Sequence, residues 1–400
     1  MTCDGKILIL VLYILFIQIL MGQQPYSSGE NIIHPMFFIR SGAAYQSTGG
    51  AAIADSGLPS AAIHNPAAQS YSNLYCYIEL GKRNRIIPGY SDDYDLEYDN
   101  QWIVPAFISM GKSFSRFQIA LGYNNLYDYK YRMQNEVTIN DYPGQGSETI
   151  ISTIRRQLHA FFLSGAYSLN PNVKLGGTLG LTYLYEHDSF WDTITAKGKG
   201  YGILMIAGIL YEVTPTFSIG SRIMYLSDIE YTLNNENGSL MNGFQSQEWS
   251  TQTGIFNNVN RENFNTFSGM FPEIVEVGFK DQPLNRLSIY GKLLYRNWRS
   301  ISMEYVNEVN YHIGFEYTIS EMVSARCGLF NEKNRMLYDF TTVNIEQNFL
   351  TAGFQMDLID HLSLMLSYVD ARWISSYRYD DSYKNKLYQI YGSAGLQYRL

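Results

Sequence analysis

The sequence predicts an all-β protein: a transmembrane antiparallel β-barrel of about 14 strands with an N-terminal segment folded into its lumen. Three observations carry this. Apolar and polar residues alternate with a period of two in segment after segment, from about Tyr71 to the C-terminus. The connections between those segments alternate between short and long. The composition is rich in Tyr (34) and Phe (21) with only 16% charged residues, and few stretches show a helical period. A chain of 400 residues has room for several domains, yet one barrel accommodates it.

Residues 1–22 open with a short polar start and an apolar run from Ile7 to Met21. That run is short for a helical span of roughly 20 residues. It is expected to be a secretory signal peptide cleaved near Gly22. The alternative is an uncleaved anchor helix. The start is weakly charged, since Asp4 offsets Lys6. No Cys follows the run closely enough to accept a lipid, and Cys3 lies inside the expected signal segment, ahead of the run. The remaining Cys76 and Cys327 form no disulfide framework and no metal-binding spacing. A net charge of −8 without basic blocks argues against nucleic acid as a partner.

From residue 71 to 400 fourteen strands are expected, near 71–81, 100–112, 115–125, 156–168, 172–186, 197–213, 215–227, 271–280, 285–297, 302–318, 320–330, 346–357, 361–371 and 387–400. In "VKLGGTLGLTYLY", Val173, Leu175, Leu179, Leu181, Tyr183 and Tyr185 share one face, while Lys174, Thr178 and Thr182 share the other. The closing segment places Tyr388, Ile390, Ala394, Leu396, Tyr398 and Leu400 opposite Gln389, Ser393, Gln397 and Arg399. In "MEYVNEVNYHIGFEY", Met303, Tyr305, Val309, Tyr311, Ile313, Phe315 and Tyr317 are expected to face lipid, with Glu304, Glu308, Asn310, His312 and Glu316 toward the lumen. The short links fall near Lys112–Ser115, 169–172, 213–216, 280–285, 318–321 and 358–361, and they carry the Pro, Asn and Asp of tight turns. The long links are 82–99, 126–155, 187–196, 228–270, 331–345 and 372–386, with a short exception near 298–301. Short periplasmic turns and long outer loops are the habit of outer-membrane barrels, so 126–155 and 228–270 are expected outside the cell. The aromatic load suits the bilayer interface.

Residues 23–70 precede the barrel. Their second half, "GGAAIADSGLPSAAIHNPAAQS" from Gly49 to Ser70, is small and nearly uncharged. A barrel of this size is too wide for its own side chains to fill. A segment of small residues with turns at Gly49, Gly50 and Gly57 can pack inside and close it.

The stretch "SGAAYQSTGGAAIADSGLPSAAIHNPAA" resembles the N-terminal hatch of the FadL-like long-chain fatty-acid and hydrophobic-compound transporters of Gram-negative outer membranes. The matching elements are Ser41-Gly42, Gly50, "AIAD" at Ala52–Asp55 and "NPA" at Asn65–Ala67. The Asp55-to-Asn65 spacing is a couple of residues longer than in the best-known members. The resemblance implies a fourteen-stranded barrel with the hatch inside, working as a monomer. It also implies passive uptake of a hydrophobic small molecule or lipid that leaves sideways into the membrane. Gly49, Gly50, Asp55, Asn65, Pro66 and Ala67 become the expected hatch and gating residues. A related group of secretion-associated barrels of Bacteroidota shares the Gly-Gly, acidic and NPA arrangement, and its partners are secreted proteins.

Other constellations are weaker. His187, Asp188 and Ser189 are neighbours in sequence and offer no convergent triad, so no enzyme is expected. The six His show no metal spacing, and no cofactor or metal is expected. Lys292 and Arg296 share a face with Arg286 in one strand, and Glu304, Glu308 and Glu316 share a face in the next. Paired antiparallel, they are expected to form a lumenal charge ladder, structural first and ligand-binding second. Asn65 and Pro66 are expected to shape a turn. Cys76 and Cys327 fall on the apolar face of strands that are not neighbours. "NGSL" at Asn237 fits a glycosylation sequon, which has no meaning in a bacterial barrel.

Overall fold

The computed structural model describes residues 31–32, 41–71, 73–87, 96–138, 147–190, 194–235, 266–300, 306–338, 341–378, 384–385 and 388–399. The signal segment, most of the 228–270 connection and Glu304 lie outside these residues. The strands run β1 (Leu74–Ile87), β2 (Leu96–Phe114), β3 (Phe117–Thr138), β4 (Ser147–Asn170), β5 (Val173–Phe190) and β6 (Ile194–Thr214). Then come β7 (Phe217–Leu226 with Ile229–Asn235), β8 (Thr266–Met270 with Glu273–Leu284) and β9 (Leu287–Asn297). The set closes with β10 (Glu308–Ser320), β11 (Val323–Tyr338), β12 (Thr341–Ile359), β13 (Leu362–Arg378) and β14 (Tyr388–Arg399). Each strand pairs antiparallel with the next, and β14 pairs back onto β1 from Tyr388↔Ile86 to Arg399↔Tyr75. The result is a closed 14-stranded antiparallel barrel. Closure satisfies backbone groups without leaving an open edge, the condition for crossing a bilayer with strands.

Alternation sets the faces. Leu163, Leu179, Leu181, Val309, Phe315, Leu396 and Tyr398 are exposed on the outer surface. Ser164, Thr178, Thr182, Glu308, His312, Ser393 and Gln397 are buried inside. Cys76 is half-buried and Cys327 exposed, and both lie among the outward residues of their strands. An outer surface this apolar belongs in hydrocarbon. No helix among the described residues is long and apolar enough to cross a membrane.

At one end the strands join by two-residue turns. Asn170 Oδ1 accepts from the N–H of Asn172 and of Val173, both at 2.9 Å, and Thr214 Oγ1 accepts from Phe217 N–H at 3.0 Å. Ser115 takes a left-handed φ of 52° in the β2–β3 turn. At the other end the strands run well past the expected boundaries. Residues 126–138 and 147–155 extend β3 and β4, and residues 331–338 and 341–345 extend β11 and β12. There the two-residue period of the sequence fades while the ladder continues. The link after β9 also differs: Trp298–Ser300 forms a 3₁₀ turn and β10 begins at Glu308 rather than near 302.

The segment 41–71 lies inside this wall. It holds two short helices, α1 (Ala43–Ser47) and α2 (Ala61–His64), and a 3₁₀ turn at Pro66–Ala68. Nearly all of it is buried, Ala and Gly making the close packing possible. Its partners lie on strands from β1 through β9 to β13, so the wall surrounds it.

Candidate functional site

The interior segment is fixed by its own turns and by the wall. Asn65 Nδ2 donates to Ile53 O at 2.9 Å and to Ile209 O of β6 at 3.2 Å, and its Oδ1 accepts from Ala67 N–H at 3.2 Å. Asn65 thereby caps the 3₁₀ turn in which Pro66 stands at the first position, where a missing N–H costs nothing. Gly49 and Gly50 both adopt left-handed φ, 67° and 66°. Gly49 also sits where a Cβ would meet Ile313 O at 2.9 Å, so only glycine fits there. Its N–H donates to Thr351 Oγ1 at 2.9 Å, and its carbonyl accepts from His312 Nδ1 at 2.6 Å. Asp55 is held by Lys280 of β8 at 2.5 Å and by the Tyr290 hydroxyl of β9 at 3.1 Å. Ala67 is fully buried. The wall gives way where the segment touches it: a Cβ at Gly208 would strike Asn65, and one at Gly314 would strike Thr48.

Helix ends meet complementary charge. Glu79 of β1 accepts from Gly42 and Ala43 N–H, at 2.8 and 2.9 Å, at the start of α1. Arg222 of β7 donates to Ile63 O in α2 at 2.5 Å. His64 donates through Nε2 to Ser41 O at 2.7 Å and stacks on Tyr45, ring centroids 3.6 Å apart. Burial first, and then the nearby Arg222, hold His64 down at about 3, a neutral imidazole. Burial and the charge of Glu276 push the Tyr45 phenol well above its usual range.

The charges inside the wall pair differently from the expected ladder. Lys292 faces His312 across β9–β10 and bonds instead to Glu276 of β8 at 2.8 Å and to the Tyr45 hydroxyl at 3.0 Å. Arg222 pairs with the same Glu276. Arg296 sits opposite Glu308, at 3.7 Å, but its bidentate bonds go to Glu332 of β11, at 2.5 and 3.1 Å. Glu316 pairs with Arg326 at 2.7 Å. The correction has a geometric cause. A long inward side chain reaches the nearest charge across the lumenal surface, on the adjacent β8 for Lys292 and two strands away on β11 for Arg296. Glu276, Glu332, Arg222 and Arg326 were missed because each is one charge among alternating polar residues. His187–Ser189 lie along β5, where successive residues alternate between faces.

Two further features concern passage. The ladder between β2 and β3 breaks: pairing runs down to Glu97↔Arg132 and resumes only at Phe107↔Asn124. Pro105 lies in the unpaired stretch and lacks a donor. On the β3 side a bulge lies between Asn125 and Tyr127, and residues 124–128 are all buried. The β2–β3 ladder is therefore interrupted beside the lumen. Next to it the inner surface of β3 to β7 carries an apolar cluster, Phe162, Leu158, Leu184, Leu204 and Leu226 with Leu126 and Tyr127, bordered by buried Asn124, Asp128, Thr182 and Glu186. Among the described residues no group of three or more His, Cys, Asp or Glu could hold a metal.

Neither a known family profile nor a curated protein matches this sequence. The fold, however, is shared with solved structures. The Ralstonia pickettii toluene transporter TbuX superposes with a TM-score of 0.62 at 13% identity, covering 91% of this chain and 100% of that one. A Pseudomonas aeruginosa FadL homologue gives 0.62 at 13%, covering 93% and 100%. The Pseudomonas putida toluene transporter TodX gives 0.62 at 12%, covering 91% and 99%.

Proposed function

We propose that the chain is an outer-membrane channel of a Gram-negative bacterium for passive uptake of hydrophobic small molecules, working as a monomer of the FadL-like type. Residues 41–70 act as its plug, and the β2–β3 gap is its lateral exit. The observation that carries the reading is the coincidence of three things: a lumen closed by a buried segment, an apolar inner surface beside it, and an opening in the wall at the same place. A water-filled pore needs neither an apolar lining nor a lateral opening. A hydrophobic solute gains about 0.8 kcal/mol for each methylene it buries, so an apolar path into the bilayer suits it. The fold shared with toluene transporters and a FadL homologue supports the same substrate class. Monoaromatic hydrocarbons and long-chain fatty acids are both within it.

The test is deletion of residues 41–68. The barrel is expected to insert and to keep heat-modifiable gel migration, because strand pairing and lipid-facing residues lie outside that span. Single-channel conductance is expected to rise, and uptake of radiolabelled toluene or oleate into proteoliposomes is expected to depend on the intact chain. Unchanged conductance would remove the plug. Capture of a secreted protein with no uptake of either solute would favour the secretion-associated alternative.

A further inference from the structure

The unpaired wall between β2 and β3 ends at Phe107, the first residue to pair again with β3. On its other side Phe107 is the register partner of Glu79. Glu79 is fully buried, and its Oε2 accepts from Gly42 N–H (2.8 Å), Ala43 N–H (2.9 Å) and the Tyr77 hydroxyl (2.7 Å). One carboxylate thus holds the start of α1 to the wall at the foot of the gap. Aromatic contacts extend from the same point. The Tyr77 ring lies 6.0 Å from that of Phe107, and Phe107 stacks on Phe162 at 5.8 Å. Removing a buried acceptor is costly: without Glu79 the Gly42 N–H and the Tyr77 hydroxyl lose their partner in a dry site, while Ala43 N–H still reaches the Tyr77 hydroxyl at 3.3 Å. The other anchors stand elsewhere: Asn65 bonds to β6, Asp55 to β8 and β9, and Gly49 to β10 and β12.

We infer that Glu79 is the latch that keeps the plug closed over the inner mouth of the wall gap, so that the Gly42–Ala43 end must leave this carboxylate before the path opens. The inference rests on the plug reading above and adds the residue that regulates it. The Gly42–Ala43 end swings, while Tyr45, Gln46 and Ser47, bonded to β9, β13 and β12, and the part from Asp55 to Ala67, bonded to β6, β8 and β9, stay tied.

The test uses the full-length barrel refolded into planar bilayers, with the 41–68 deletion as reference. Glu79→Ala is expected to raise single-channel conductance severalfold toward that of the deletion. Glu79→Gln, whose amide oxygen still accepts, is expected to fall between the two and carries the test if the alanine variant does not fold. Hydrogen exchange should quicken at least tenfold in the 41–47 peptide of Glu79→Ala and stay unchanged in the 61–70 peptide. Wild-type conductance and exchange in Glu79→Ala, with a deletion that does conduct more, would overturn the latch and spare the plug. A deletion with wild-type conductance overturns the plug and the latch together. Conductance that rises in Glu79→Ala without any toluene uptake by the parent barrel keeps the latch and sinks the transport reading.

Discussion

Asn65 satisfies two carbonyls and one amide from a single buried side chain, one of those carbonyls on the wall. Asn65→Ala leaves these groups unpaired, at about 1–3 kcal/mol. It is expected to speed hydrogen exchange in the 61–70 peptide and to raise conductance less than the full deletion does. Glu276 is a second such point, because it alone faces both Arg222 and Lys292. Glu276→Ala strands two buried cations and is expected to cost about 3–5 kcal/mol in urea unfolding from vesicles. His64 adds a pH dependence. Docked, its value lies at about 3; released into water it returns to about 6.5. The docked state disfavours the proton, so the contribution is complete above pH 6.5 and is lost as pH falls from there toward 3. Between pH 7.5 and 5 docking weakens by about 2 kcal/mol. Conductance should rise over that window and stay flat in His64→Gln, which keeps a donor for Ser41. A rise of equal size in His64→Gln would assign the effect to other groups.

Elements tell a different part of the story. β4 and β5 were legible because both faces are regular: Leu163 and Leu179 outward, Ser164 and Thr178 inward. β3 was legible only in its first half. From Asn124 to Asp128 its residues are all buried, and the exposed–buried alternation that marks the wall is lost. The wall glycines were likewise invisible as a set, since Gly208 and Gly314 stand far apart in sequence and meet only around the interior segment. Gly208→Val is expected to push Asn65 off β6 and raise conductance without altering heat-modifiable migration. Gly165, which faces outward with no such contact from the plug, should tolerate alanine with wild-type conductance.

The molecule as a whole is an inverted globule, with its apolar residues outside and its ion pairs within. That inversion is testable at one position. Leu179 is 60% exposed on the outer face, and Leu179→Arg places a charge in hydrocarbon at a cost of about 2–4 kcal/mol near the midplane. The same change in a barrel that lived in water would be nearly neutral. Urea unfolding from lipid vesicles decides between them.

Fourteen strands, their outward faces, the tight turns at one end and the small-residue character of residues 49–70 were determined by the sequence itself. Each rests on local rules: a period of two, turn chemistry, and the size of a side chain. The tertiary structure alone decided which charges pair, where the β2–β3 ladder is interrupted and what holds the interior segment. Lys292 could reach either neighbouring strand, and Glu276 lies on the one that sequence order did not suggest. Glu79 meets Gly42 only because a closed barrel brings the first strand around the segment that precedes it. Such contacts depend on shear, closure and the depth at which the interior segment sits. Those are properties of the whole cylinder, and no window of residues carries them.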